Sequence, residues 1–582
     1  MNAKTLFQKK SNSLLLPLAG AAFLIVGGGF AFWTLTRPNF VPGTLPTGST
    51  VIPQDALMVV SFTTDANQWE KLRSFGTPKS QAALNQNLAQ LRDRFLTANG
   101  LNYEQDIQPW IGSEVTLAML SPQSELEPPK NGQPPQPANA QPAILVLPIN
   151  NALKAKEIFD RPRNLPGRQW TERTYQDIKI REAKGEQPSQ NVDIAAIDGK
   201  FILISNSARS IERAIETYKG GKSLAGTPGY TDALGQIQKT GRGFASVYMN
   251  LPEMVMSGNA NTNRNLSQQS LDQVKQSQGW ATVANLGDDG VTLNSVFWLK
   301  PDGDRKFSVR NTAKTMPTRL PGDTVLMASG GDFKQFWTDY TRDFATMPVK
   351  LLDPVSFRQE VKGALGMDLE QDFVDWMQGE FSLSLVAAPP GSPPTTPIGL
   401  VLMAQASDRR AAEKAFKQLD ETMAKKFSFT VEAGQVAGQD VVNWRMPSAE
   451  VGITRGWLDG NVAFLTLGAP VASSFLPRPT NTLSTNPLFQ KAIVPSNDAV
   501  SGNFFMDVKR AGSFKSLPLL RFPESNQVWL EAIQSIGITT VVTSDRTTRY
   551  DVTLLLQKGD RPGELPSPSL PSPSAPSPSP SQ

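Results

Sequence analysis

The chain contains no cysteine and no histidine in 582 residues. Without thiols there is no disulfide, no cysteine nucleophile and no thiolate metal site. Without imidazole the usual general base of neutral pH is missing, and Ser-His-Asp and Cys-His arrangements are excluded. A metal could be held only by oxygen ligands, which suits calcium or magnesium. Catalysis would need carboxylates of raised pKa or a desolvated lysine. A large excess of one sign of charge is also missing. The net charge is +4, part of it from Lys4, Lys9 and Lys10, and no lysine- or arginine-dense block supplies the footprint of nucleic-acid binding.

One continuous apolar run stands out, "LLLPLAGAAFLIVGGGFAFWTL", residues 14–35, which carries no charge. As a helix its 22 residues span about 33 Å, against a hydrocarbon core of roughly 30 Å. Lys4, Lys9 and Lys10 precede it, which places residues 1–13 in the cytoplasm and the rest of the chain outside. A cleaved signal peptide is the competing reading. The run ends in Phe32, Trp33 and Leu35, a poor cleavage site, and this favours an uncleaved transmembrane signal-anchor. Residues 36–50 then read as a Pro/Gly linker, and residues 558–582 as a Pro/Ser-rich disordered tail.

Between these lies a tandem repeat, with a first unit at 51–300, a linker at 301–317 and a second unit at 318–557. "VIPQDALMVVS" (51–61) matches "RLPGDTVLMAS" (319–329), with Pro53 and Asp55 answering Pro321 and Asp323, and Trp69 answering Trp337. "EQDIQPWIGSE" (104–114) returns as "EQDFVDWMQGE" (370–380). "IDG" (197–199) and "LDG" (458–460) each precede an apolar run. A proline-rich loop of 22 residues at 121–142 becomes one of 11 at 387–397, and the polar run 257–279 reads as a loop or partly helical insertion. Preserved order with drifting offsets is what duplication plus loop change produces. Each unit alternates apolar strands with amphipathic helices and tight turns, which predicts an α+β fold with antiparallel sheets and helices on one face.

The repeated acidic, tryptophan-centred stretch admits two readings. In one, Glu114 and Glu380, or Asp106 and Asp372, form an acid/base couple of the glycosidase kind. In the other, Trp110 and Trp376 plug a helix-to-strand corner, Asp106 and Asp372 satisfy nearby backbone donors, and Gly112 and Gly379 supply a turn that tolerates positive φ. An acid/base couple needs two different environments, whereas duplicated positions inherit the same one, so a corner built twice is expected. "YKGGKS" (218–223) has Glu216 where a phosphate loop needs its first glycine, and follows a helical pattern; it reads as a helix stop. "GDDG" (287–290) and "PDGD" (301–304) read as turns, without the spacing of a calcium loop. No Ser-x-x-Lys or Gly-x-Ser-x-Gly pattern is present. No catalytic, cofactor-binding or metal-binding residue is assigned, and no cofactor is expected.

The N-terminal anchor, "IPQDALMVVS", "DIQPWIGSEVTLAM" and "IDGKFILISNSARSIERAIETYKGGKSLAGTPGY", with their second copies, resemble a bacterial family common in cyanobacteria, domain of unknown function 3352. The resemblance covers roughly residues 50–557 and implies a membrane-tethered envelope protein with no established activity. The expected function is non-catalytic binding or scaffolding on a single-pass inner or thylakoid membrane, the bulk of the chain being periplasmic or lumenal. The partners are the membrane itself, through residues 14–35, and a protein or lipid of the envelope. The alternatives are a lipid or lipoprotein carrier using a concave sheet surface and, third, a carboxylate-based hydrolase of wall polymers.

Overall fold

Short runs of alternating apolar residues become strands wherever one face can be buried. "MVVSFT" forms β1 (Met58–Thr63) in this way, and "TVLMASG" forms β11 (Thr324–Gly330). The computed structural model describes residues 45–97, 101–121, 142–159, 169–184, 192–238, 243–262, 268–308, 312–344, 352–446, 452–459, 461–514 and 524–568. The apolar run 14–35, most of the proline-rich loop 121–142, residues 263–267 of the polar run and the tail from 569 lie outside the described residues. Among the described residues no helix is long and apolar enough to cross a membrane.

Two compact units are present. The N-terminal unit takes its described residues from 45–262, 279–286 and 558–568; the C-terminal unit takes them from 268–278 and 287–557. The sheet of the N-terminal unit is built from β1, β2 (Glu114–Met119), β3 (Ala143–Pro148), β4 (Gln169–Tyr175), β5 (Ile178–Lys184), β6 (Val192–Ile197), β7 (Phe201–Ser205), β8 (Ala245–Met249) and, through its residues 279–286, β9 (Ser277–Leu286). Its order is β4-β5-β6-β7-β3-β2-β1-β8-β9, antiparallel at each pairing.

The sheet of the C-terminal unit uses β10 (Gly290–Leu299), β11, β12 (Phe381–Ala387), β13 (Ile398–Gln405), β14 (Thr430–Val436), β15 (Gln439–Arg445), β16 (Gly452–Leu458), β17 (Val462–Gly468), β18 (Val500–Asp507), β19 (Ile533–Ser544) and β20 (Thr547–Leu556). Its order is β14-β15-β16-β17-β13-β12-β11-β18-β19-β20-β10, again antiparallel. The hairpin closed by Asp-Gly turns through the left-handed residues Asp198 (φ 46°) and Gly199 (φ 64°), and in the other unit Asn461, just before β17, is left-handed (φ 59°).

Each sheet is covered by helices whose starts are capped in the same fashion. Asp65 accepts from the Asn67 N–H (2.9 Å) at the helix Ala66–Arg73, and Asp332 accepts from the Gln335 N–H (2.9 Å) at the helix Phe333–Asp343. Trp69 and Trp337 do not occupy equivalent places behind these caps. Trp69 stands four residues past its cap and gives its indole N–H to the Thr63 carbonyl (2.9 Å). Trp337 stands five past, a further 100° around the helix, and gives its N–H to Glu370 Oε1 (2.9 Å). In the C-terminal unit one core, with Phe464, Phe475 and Phe505, fills one side of the sheet, and a second, with Trp376, Phe416 and Trp444, packs under the helix Arg409–Phe427.

Residues 558–563 lie along the helices of the N-terminal unit. Phe75 bridges to Lys558, Gly559 N–H donates to the Ser74 carbonyl (2.9 Å), Gln81 Nε2 donates to the Asp560 carbonyl (3.0 Å), and Arg73 donates to the Gly563 carbonyl.

Candidate functional site

The two acidic stretches fold into the same corner. Residues Tyr103–Ile107 and Leu369–Phe373 each form one π-helical turn. Asn102 and Asp368 cap these turns, accepting from the Gln105 and Gln371 N–H groups at 3.1 Å each. Asp106 and Asp372 reach back to accept the Asn102 and Asp368 N–H groups, at 2.8 and 2.7 Å. Two backbone donors at the start of each turn are thereby satisfied reciprocally. Trp110 and Trp376 are buried and donate their indole N–H to the Asp106 and Asp372 carbonyls, at 2.6 and 2.8 Å. The corner glycines differ from expectation. Neither Gly112 nor Gly379 has a positive φ. Crowding is what requires them: a Cβ on Gly112 would lie 2.9 Å from Pro148 Cγ, and one on Gly379 would lie 2.8 Å from Gln405 Cβ.

Glu114 and Glu380 hold the segments that lead into their own units. The Thr47 N–H and hydroxyl both donate to Glu114 Oε2, at 2.9 Å each. Thr315 N–H (2.7 Å) and Met316 N–H (3.0 Å) donate to Glu380 Oε1, and the Thr315 hydroxyl donates to Oε2. Each entering segment then crosses a polar row of its sheet. Thr116 Oγ1 donates to the Thr47 carbonyl (2.7 Å), and Asn503 Nδ2 donates to the Ala313 carbonyl (3.2 Å). These straps continue to matched bridges, Pro53 with Ser223 and Pro321 with Thr482. The clamping threonines escape attention in a chain read as linker. A Thr-x-x-Thr-x-x-Pro spacing, Thr47-Thr50-Pro53 and Thr315-Thr318-Pro321, is the signal that marks them.

Burial raises the pKa of Glu114, and the two Thr47 hydrogen bonds oppose that rise. Beside it is a cleft of about 60 Å³ whose wall includes Thr64, Asp65, Gln68, Glu114, Gln238 and Ser246. A second charged feature lies in the same unit. Glu182 and Asp193 are directly opposed on β5 and β6, with Arg173 paired to Glu182 and, at 2.8 Å, to Glu212. Asp193 is 6 % exposed, and burial together with the Glu182 charge pushes its carboxyl up to about 6. Among the described residues no group of three or more carboxylates is arranged to hold a metal ion. "YKGGKS" ends the helix Ala208–Tyr218, with Gly220 at φ 117° and Gly221 N–H donating to the Glu216 carbonyl (3.0 Å).

One apolar line crosses the C-terminal sheet. Leu465, Leu402, Leu383, Ala328, Phe504 and Ile538 are successive partners on β17, β13, β12, β11, β18 and β19. Leu383 is 42 % exposed at its middle, and its neighbours Leu402, Ala328 and Phe504 are half-buried. Phe336, 48 % exposed, lies beside the same line, its ring 5.4 Å from that of Phe381.

The fold and its corners define a chain of mixed helices and antiparallel sheet in which Asp106, Asp372, Glu114 and Glu380 are engaged in holding backbone. Residues 18–556 match the family model described as protein of unknown function (DUF3352), and the chain belongs to that family. No curated protein matches the chain. Among solved structures, crystal form I of TP0453 is similar at 10 % identity over 47 % of this chain and 83 % of that one, with a TM-score of 0.25. Crystal form III is similar at 10 % identity over 46 % and 82 %, with a TM-score of 0.23. Scores of this size do not define a shared fold.

Proposed function

We propose that this chain is a membrane-anchored, non-catalytic binding or scaffolding protein of the cell envelope, carrying one α+β design twice behind a signal-anchor at residues 14–35. The matched strand orders, corners and straps support the duplication. The engagement of Glu114 and Glu380 with Thr47 and Thr315 argues against a paired acid and base, since both carboxyls serve the same structural task. The observation that carries a binding role is the apolar line around Leu383 and Phe336. Exposed apolar side chains grouped on one face, unlike scattered single ones, mark interaction surfaces, and Leu383 and Phe336 are exposed together on and beside this line.

The same line favours a second reading, a carrier of lipid or lipoprotein acyl chains. It carries no charged side chain from Leu465 to Ile538, so an extended hydrocarbon could lie along it without desolvating an ion. Full-length protein, purified gently from its native host and extracted for mass spectrometry, separates the two. A stoichiometric lipid that is lost in Leu383→Asp moves the assignment to the carrier. An empty protein with a membrane crosslinking partner that Leu383→Asp releases supports the scaffold. Retention of the partner by that variant would remove the apolar line from either role.

A further inference from the structure

Glu114 and Glu380 hold equivalent straps unequally. Glu380 accepts three hydrogen bonds distributed over both oxygens. Glu114 accepts two, both on Oε2, and its Oε1 accepts none among the described residues. Gly48, which stands where the C-terminal strap has Met316, turns with φ 86° and supplies no third donor to the carboxylate. Glu114 also forms part of the cleft wall, as does Pro46 of the strap itself. Opening the strap would therefore hydrate Glu114 further, whereas the closed strap leaves its carboxyl half-buried at the cleft wall.

We propose that Glu114 is a proton-operated latch on the strap 45–52, which closes more tightly on acidification and loosens as Glu114 ionises, while the Glu380 strap stays shut. Oε2 accepts the Thr47 donors in either protonation state, and Oε1 is the oxygen left to carry the proton. The titratable groups facing Glu114 are Asp65, from the turn after β1, and Tyr230, from the helix Tyr230–Ile237; β8, β9 and the strap contribute Ser246, Val283 and Pro46, none charged. No lysine or arginine is in the cleft wall to hold a carboxylate there. Burial elevates the closed form's pKa, whereas in the open form the carboxyl returns to its ordinary range. Between those two values, proton uptake favours closure.

Hydrogen exchange on the full-length protein, with rates corrected for intrinsic pH dependence, tests the latch. Protection of the Thr47 amide should fall several-fold between about pH 5 and about pH 8, up to tenfold per unit of pKa displacement. Thr315 in the same molecule should remain level. Glu114→Gln, which keeps an accepting oxygen and cannot ionise, should hold Thr47 protection high and level, and Glu380→Gln should leave the Thr47 profile unchanged. A level Thr47 profile in the wild-type chain, or an undiminished slope in Glu114→Gln, overturns the latch. The wild-type ratio of Thr47 to Thr315 protection decides the matter even if a variant does not fold.

Discussion

Glu182 and Asp193 face each other across β5 and β6 of the N-terminal unit, where Asn443 and Thr454 face each other across β15 and β16 of the C-terminal unit. The neutral pair is joined by the Thr454 hydroxyl donating to Asn443 Oδ1 at 2.8 Å. The acidic pair opposes two carboxyls; Arg173 pairs with Glu182, while Arg173 and Lys184 act on Asp193 through their charge and only partly offset its burial and the Glu182 charge.

Stability of the N-terminal unit should therefore depend on the charge of Asp193. Its folded pKa, about 6, lies above its ordinary 3.8, so the folded state holds the proton more tightly than the unfolded one. The favourable contribution of the protonated form is present below about pH 4 and is lost as pH rises through about 6. Asp193→Asn should flatten this dependence and stabilise the unit at neutral pH by about 1–2 kcal/mol, allowing for solvent screening. Urea denaturation at a series of pH values reads both effects; an unaltered slope would mean that another group is responsible.

Removing the acceptor should cost more than removing one donor at the Glu380 clamp. Glu380→Ala leaves three donors without a partner in a buried place, and should destabilise the C-terminal unit by about 2–4 kcal/mol. Thr315→Val removes only the hydroxyl and should cost about 1–2 kcal/mol. The double variant should fall short of the sum, and simple additivity in a double-mutant cycle would show that the contact does not hold the strap.

Trp110 and Trp376 should behave alike if the corner is structural. Each truncation to alanine removes a buried ring and an indole hydrogen bond, at about 3–5 kcal/mol, and phenylalanine at either site should recover more than half of that. Circular dichroism during denaturant titration measures it. A large loss of a binding activity with unchanged stability in only one of the two variants would instead mark that tryptophan as part of a binding site.

Gly112→Ala brings a methyl group within 2.9 Å of Pro148 Cγ and 3.2 Å of Pro148 Cβ. A proline ring in a paired strand has little freedom to retreat, so a loss of about 1–3 kcal/mol is expected. Thermal melting within a degree of the wild type would show that the corner can open.

Much of the chain's local structure was legible because it rests on short-range signals. The Asp-Gly turns and the backbone donors held by Asp106 and Asp372 in the two acidic stretches all join residues within about five positions. Pattern alone failed where the partner is distant or the spacing drifts. Thr47 meets Glu114 across 67 residues, and "PTGST" by itself reads as a free tether; the clamp shows only when its Thr-x-x-Thr-x-x-Pro spacing is set beside residues 315–321. Trp69 and Trp337 align well by offset, yet the helix starts have moved by one residue against them, and one residue is enough to change the face. Gly112 and Gly379 pointed correctly to a corner, but for the wrong physical reason, because crowding by a neighbouring strand leaves no mark at the glycine itself. The Glu182–Asp193 opposition depends on strand register, which emerges only once the hairpins are in place.

The interleaving of the two units also bears on the order of events at the ribosome. Residues 279–286 and 558–563 complete the N-terminal unit, yet the second of these segments is made after the whole stretch 287–557. The unit begun first is thus the last to be finished. Until synthesis ends, Ser74, Gln81 and Arg73 lack the chain they will bind, so a ribosome-stalled chain ending before residue 558 should present this unit to proteases and chaperones in an incomplete state.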